Sequence, residues 1–230
     1  GHQDGVTAVD CWTKEKPVSA SMDRTWRLWK VVEESHLVFR GDKGSLDAIQ
    51  LMTEDSFVTG GQDGALSLWK ETQKKPIRTA HRAHGGGEAG PAGVANWISS
   101  LASVKMSNLV ASGANDGFVR LWNASSEHRE LEQLAAIKVD GFVNAMAMPP
   151  RLLVAGCGRE PRLGRWWNLT GNKNKVHIIR FRSDLSLEGG AAAANDDEDD
   201  DDDDEAGSSG SEEDSSGGGS ADNDDDDGDE

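Results

Sequence analysis

The stretch Ser112-Gly-Ala-Asn-Asp116-Gly-Phe-Val-Arg-Leu-Trp122 occurs in four versions along this 230-residue chain. The others are Ser19-Ala-Ser-Met-Asp23-Arg-Thr-Trp-Arg-Leu-Trp29, Thr59-Gly-Gly-Gln-Asp63-Gly-Ala-Leu-Ser-Leu-Trp69 and Gly156-Cys-Gly-Arg-Glu160-Pro-Arg-Leu-Gly-Arg-Trp166. Each has an acid six residues before its closing Trp, and three have Ser or Thr four before that acid. The closing tryptophans are 40, 53 and 44 residues apart. The long step contains a Gly- and Ala-rich insertion at about 80–96.

Each phrase parses as strand, tight turn, strand. Asp63-Gly64 and Asp116-Gly117 are hairpin dipeptides, because Gly and Asp tolerate positive φ. Four further strands are expected ahead of the phrases, at Val6 to Asp10, Leu46 to Leu51, Ile98 to Val104 and Val143 to Met148. Two more follow, at Leu37 to Phe39 and Pro76 to Thr79. About four short strands per unit, at periods near 40 to 45 residues, specify an all-β chain built as a β-propeller.

Other polar residues recur in step with the phrases. Gly1-His2 opens the first unit 27 residues before Trp29, and Asp42 stands 27 before Trp69. Ala83-His84 takes that place in the third unit once the insertion is removed. The arrangement resembles the WD-repeat family, in which a Gly-His pair opens a unit and a Trp closes it. The resemblance implies a buried hydrogen-bonded chain of indole, hydroxyl, imidazole and carboxylate. His2, Ser19, Asp23 and Trp29 match it completely, as do His84, Ser112, Asp116 and Trp122. Thr59, Asp63 and Trp69 match it with Asp42 in place of the His. The fourth unit is degraded, with Asp140, Gly156 and Glu160 at the polar positions. The resemblance also implies seven blades. Residues 1–188 hold about four, so a fragment lacking upstream blades is the expectation.

A recurring His, Ser and Asp invites a catalytic reading, but triads are recognised by geometry. Here the set recurs in successive units and ends on an indole donor that acyl transfer does not need, so it is read as structural. Gly85-Gly-Gly lacks the Lys-Ser or Lys-Thr of a phosphate loop. As metal ligands, His81 and His84 are discounted as residues of a solvated loop. No enzymatic activity, cofactor or metal is expected. Cys11 and Cys157 are read as reduced core thiols, and Asn123 and Asn168 as chance glycosylation matches. No stretch approaches 18 apolar residues.

Charge divides the chain. Residues 1–188 carry 24 bases and 21 acids, a formal +3, whereas residues 189–230 carry the remaining 20 acids and no base. That tail has no aromatic residue and is expected to be disordered. It reads as a solubilising spacer, or as a site for basic proteins, with Ser209 and Ser211 in an acidic phosphorylation context.

The most basic window runs from Arg151 to Arg182, with eight bases and one acid. It contains Arg159, Arg162, Arg165, Lys173, Lys175, Arg180 and Arg182, beside Trp166 and Trp167. Arginines next to aromatics are apparatus for single-stranded or looped RNA, and these seven are the candidate RNA contacts. Three stretches carry a narrower resemblance. They are Glu33-Glu-Ser-His-Leu-Val-Phe39, Ala83-His84 with Trp97-Ile-Ser-Ser100, and Leu153-Val-Ala-Gly with Arg162-Leu-Gly-Arg-Trp-Trp167. Together they are similar to the ribosomal RNA-processing WD-repeat family of the U3 small nucleolar ribonucleoprotein. That implies binding of U3 small nucleolar RNA and processome proteins, early small-subunit rRNA processing, and residence in the nucleolus. The alternative is a protein-interaction adaptor of chromatin or ubiquitin pathways, its acidic tail serving basic partners.

Overall fold

The computed structural model describes residues 1–41, 44–86, 94–162, 164 and 167–181. The expected tail, Ser209, Ser211, Arg165, Trp166, Arg182 and Asp42 lie outside the described residues. Among the described residues, fifteen strands form four antiparallel sheets. The first sheet runs β1 (Val6–Cys11), β2 (Pro17–Ser21), β3 (Thr25–Lys30), β4 (Ser35–Arg40). The second runs β5 (Leu46–Leu51), β6 (Ser56–Gly61), β7 (Leu66–Lys70), β8 (Arg78–Ala80). The third runs β9 (Ile98–Ser103), β10 (Leu109–Ala114), β11 (Phe118–Ser125), β12 (Glu130–Lys138). The fourth holds β13 (Phe142–Ala147), β14 (Leu152–Gly158) and β15 (Lys175–Arg180) among the described residues. The all-β propeller expectation holds.

Sequence chemistry explains the hairpins. The residue after the acid has positive φ in three phrases, at Arg24 (65°), Gly64 (70°) and Gly117 (77°). The acid caps the turn by accepting backbone N–H groups two residues on: Thr25 to Asp23, Ala65 to Asp63 and Phe118 to Asp116. This is the local side-chain turn that Asp favours.

Packing follows from strands covered on both faces. Every residue of β6 is buried. Phe57 and Trp69 face the first sheet, where Trp26 stacks on Phe39 at 3.8 Å and meets Phe57 edge-on at 4.5 Å. Val58, Leu66 and Leu68 face the third, against Ile98, Leu101, Val110 and Trp122. A third apolar layer joins Ala111, Val119 and Leu121 to Val143, Leu153 and Ala155. The innermost strands are stitched by polar bonds. Leu51 N and Gln50 Nε2 donate to Asp10, Ser103 Oγ donates to Leu51 O, and Ser99 and Ser100 donate to Val143 O. Gly113 permits the last of these joints, because a Cβ there would lie 2.4 Å from Val143 Cγ1 and 2.8 Å from Ser100 Oγ.

Four expectations are corrected. The fourth phrase is not strand, turn, strand closing on Trp166: β14 pairs with β15, in register from Leu152↔Arg180 to Cys157↔Lys175. In the second and third sheets the closing Trp stands opposite Phe57 and Val110, two residues before the hydroxyl. Ile178, opposite Val154, holds that place in the fourth. Residues 159–174 are therefore inserted between hairpin partners. Second, β12 was not foreseen. Its residues Glu-Leu-Glu-Gln-Leu-Ala-Ala-Ile-Lys suit a helix, and it is an exposed outer strand held by the ladder to β11. Third, His84 is not a solvated loop residue but is buried at 1% exposure. Fourth, Cys157 is buried but Cys11 is exposed.

Candidate nucleic-acid interface

The recurring polar residues form hydrogen-bonded chains. In the third sheet, Trp122 Nε1 donates to Ser112 Oγ at 2.8 Å. Ser112 Oγ lies 2.7 Å from His84 Nε2, and His84 Nδ1 lies 2.9 Å from Asp116 Oδ2. The first sheet repeats this, with Trp29 Nε1 2.8 Å from Ser19 Oγ, Ser19 Oγ 2.7 Å from His2 Nε2, and His2 Nδ1 3.0 Å from Asp23 Oδ2. One proton arrangement satisfies both chains: indole N–H to hydroxyl oxygen, hydroxyl O–H to Nε2, and Nδ1–H to carboxylate. In the second sheet Trp69 Nε1 donates to Thr59 Oγ1 at 2.9 Å.

Burial pushes the Asp23 and Asp116 carboxyls up, but accepted hydrogen bonds outweigh it and hold both below the ordinary range. For Asp23 the donors are Thr25, the Gln3 amide and His2; for Asp116 they are His84 and the Phe118 amide, with Arg120 adding its charge. The hydroxyl is thus held between an indole and an imidazole in both sets.

The basic window is arranged around the insertion at 159–174. Asn144, on β13, clamps it twice: its Nδ2 donates to Glu160 O at 2.8 Å, and its Oδ1 accepts from Arg162 N at 2.8 Å. Asn174 Oδ1 accepts from Arg159 N at 3.1 Å, and Leu169 N donates to Arg159 O. Trp167 packs edge-on against buried Phe142 at 5.1 Å. Part of this indole therefore anchors the loop and is not free to stack on a base. Arg159, Glu160, Asn144, Asn174 and Lys175 line a groove of about 640 Å³. Lys175 Nζ donates to Asp140 at 2.7 Å and holds that exposed carboxyl below its usual range. Cys157 lies in the same wall, where burial, helped by Asp140, pushes its thiol up to about 11 and away from reactivity.

The structure divides the seven candidate contacts. Arg159 and Lys175 share the groove, and Lys173 is exposed on the loop beside Asn174. Arg180 is exposed at the far end of β15, about 17 Å along the strand from Lys175 at roughly 3.4 Å per residue. Arg162 turns away from the groove, its Nη2 donating to Asp47 O of the second sheet at 3.1 Å. Arg165 and Arg182 lie outside the described residues.

Asp47 is almost fully buried. Desolvation raises its carboxyl to about 6, against the opposing effects of Ser45 and Arg162. Sequence reasoning missed Asn144, Asn174 and Asp47. The two asparagines act from strand and loop positions that carry no motif. The Arg162 to Asp47 bond spans 115 residues and leaves no local signal.

The WD domain, G-beta repeat model matches residues 1–30 and 91–123. The chain is 37% identical over 205 residues to the U3 snoRNP-associated protein-like YAOH of Oryza sativa subsp. japonica, covering 79% of this chain and 40% of the relative. It is 42% identical over 153 residues to the human U3 small nucleolar RNA-interacting protein 2, covering 65% of this chain and 32% of the relative. Among solved structures, one described as the crystal structure of RRP9 WD40 repeats superposes with a TM-score of 0.75 at 42% identity, covering 79% of this chain and 56% of that one. The chain thus spans well under half the length of the curated relatives it matches.

Proposed function

We propose that this chain, a WD-repeat protein of the U3 snoRNP-associated type, is a non-enzymatic RNA-binding scaffold. It binds U3 small nucleolar RNA and supports early pre-rRNA processing in the nucleolus. The observation that carries the reading is the groove at the fourth sheet. There the repeat has lost its hydroxyl to Gly156 and gained an insertion that presents Arg159, Lys173 and Lys175.

The groove can accept phosphate oxygens through exposed Arg159, while Lys175 can exchange its surface carboxylate for a phosphate at little cost, since exposed ion pairs are worth about 0–1 kcal/mol. Arg162 serves in positioning: it ties the insertion to the second sheet. Charged contacts of this kind release counterions, so binding should weaken steeply with salt.

The test is anisotropy of a labelled U3 RNA fragment against the full chain, measured across salt concentrations. Arg159→Glu with Lys173→Glu should lower the logarithmic salt slope by about 1.4, from roughly 0.7 per single-strand phosphate contact. Arg162→Gln should lower the melting temperature and leave the slope within error. Unchanged affinity in the double variant, with its circular dichroism intact, removes the groove from the interface.

A further inference from the structure

The first sheet carries a second concentration of positive charge that neither the repeat pattern nor the basic window accounts for. Arg24, Arg27 and Arg40 line one pocket of about 390 Å³ with Gln3, Asp23, Thr25, Val38 and Gly41. The sheet brings them together. Arg40 stands directly opposite Thr25 across the β3–β4 ladder, Arg27 stands opposite Val38, and Arg24 precedes β3 in its left-handed turn position.

Three observations separate this pocket from a solvated charged edge. Arg27 is more than nine-tenths buried, at 7% exposure, and its Nε has no hydrogen-bond partner among the described residues. Its Nη1 donates to His36 Nε2 at 2.8 Å, which requires that nitrogen to be unprotonated, so no acid neutralises the guanidinium through this bond. Arg24 and Arg40 make no ion pair with an acid among the described residues. Among the described residues of the wall the one acid is Asp23, which already accepts from His2, Gln3 N and Thr25. Three cations against one committed anion leave a formal surplus of two positive charges in a concave site.

The third sheet provides the comparison within the molecule. Its corresponding hollow, about 290 Å³, is lined by His84, Asp116, Phe118 and Arg120 among others. Arg120 occupies the register position of Arg27, opposite the set's serine. Its Nε, like that of Arg27, has no partner among the described residues, but it donates to Asp116 Oδ2 at 3.2 Å and to Gln133, so its charge faces an acid. The fold closes this hollow with one arginine and its acid. In the first sheet the equivalent arginine is turned to a histidine and two unpaired arginines are added, an arrangement the fold does not require.

We infer that the Arg24, Arg27 and Arg40 pocket is a second phosphate-binding site for RNA, separate from the groove at the fourth sheet; the inference rests on the RNA-binding reading above. Guanidinium groups offer paired donors matched to phosphodiester oxygens; Arg24 and Arg40 are exposed and can present theirs, while buried Arg27 adds its charge from the wall behind them. Among the described residues of the wall Val38 is the only large apolar one, so the pocket provides charge and donors with little apolar anchorage for a peptide side chain.

The test uses the full chain and the same labelled U3 RNA fragment. Arg24→Gln with Arg40→Gln should reduce the salt slope by about 1.4, so that binding falls roughly sevenfold less than wild type between 50 and 200 mM salt. Melting should stay at the wild-type temperature, since both residues are unpaired. Combining the pair with Arg159→Glu and Lys173→Glu should reduce the slope additively. An unchanged slope in the Arg24 and Arg40 variant, with wild-type RNA binding preserved, overturns the second site and leaves the groove intact. No RNA binding by wild type overturns both. A synthetic peptide of residues 189–230 that binds wild type but not the variant, while the RNA slope is unchanged, assigns the pocket to an acidic segment and also overturns the inference.

Discussion

Ser112→Ala tests whether the hydroxyl between indole and imidazole holds the third sheet together. Ser112 is fully buried, and its oxygen lies 2.8 Å from Trp122 Nε1 and 2.7 Å from His84 Nε2. Alanine removes the acceptor of one ring and the donor to the other, while Trp122 and His84 stay buried at 4% and 1% exposure. Each orphaned partner costs about 1–3 kcal/mol. A single missing hydroxyl leaves too little room for a rescuing water. The expected loss is therefore about 3 kcal/mol. Urea unfolding followed by far-ultraviolet circular dichroism reads it as a midpoint shift of about 1.5 M, for a slope near 2 kcal/mol per molar. Thr59→Val is the internal control. Thr59 Oγ1 accepts from Trp69 Nε1 at 2.9 Å and bonds to no histidine, so the loss should be about half as large. Equal losses in the two variants, or a Ser112→Ala midpoint within 0.25 M of wild type (about 0.5 kcal/mol), would refute the bridging role.

Acid titration gives a second check. Asp116 has a depressed carboxyl in the folded state, so its contribution is present above the ordinary value of 3.8 and is lost as pH falls below it. Asp116→Asn should flatten the loss of stability under acid, as measured by urea midpoints from pH 5 down to pH 2.5. Asp47 has the opposite sign. Its folded carboxyl is raised to about 6, so stability falls as pH rises from 3.8 through 6, by on the order of 3 kcal/mol in all. Asp47→Asn should remove that slope and melt at or above the wild-type temperature at pH 7.5; a variant retaining the slope assigns it to another group. Gly113→Ala places a methyl against Val143 and Ser100 and should cost about 1–3 kcal/mol in chemical denaturation, whereas Gly85→Ala, with nothing within 4 Å but φ at 74°, should cost about 1 kcal/mol.

Hairpins, inner strands and polar sets were legible because each depends on residues close in sequence or on a repeat of them. An acid followed by a left-handed position encodes its own turn, as at Asp63-Gly64 and Asp116-Gly117. β12 was not legible because its residues favour a helix and its strand state comes from pairing with β11, a tertiary effect that outweighs propensity. The fourth unit misled for a different reason. Glu160 and Trp166 keep the repeat's spacing, but Gly156 provides no hydroxyl to hold an indole. With that bond gone, the register is free to pass to Lys175–Arg180, whose alternating apolar residues satisfy the ladder.

The same loss explains why the basic segment stands where it does. In the first three sheets the chain returns from the second strand to the third through a tight turn, since the capped acid leaves no slack. In the fourth, release of the closing Trp position to Ile178 lengthens that return to residues 159–174. The longer return lets Arg159 and Lys173 project while Asn144, Asn174 and Trp167 pin the backbone. Restoring the hydroxyl tests this order of causes. In Gly156→Ser the new hydroxyl would meet Ile178 and not a Trp at the closing position, because Ile178 stands opposite Val154 as Trp122 stands opposite Val110. It should therefore leave the melting temperature within about 2 °C, as expected for a change worth under about 0.5 kcal/mol. A stabilisation of about 1 kcal/mol or more would mean that an indole is within reach, and the hairpin would then close as the repeat pattern first suggested.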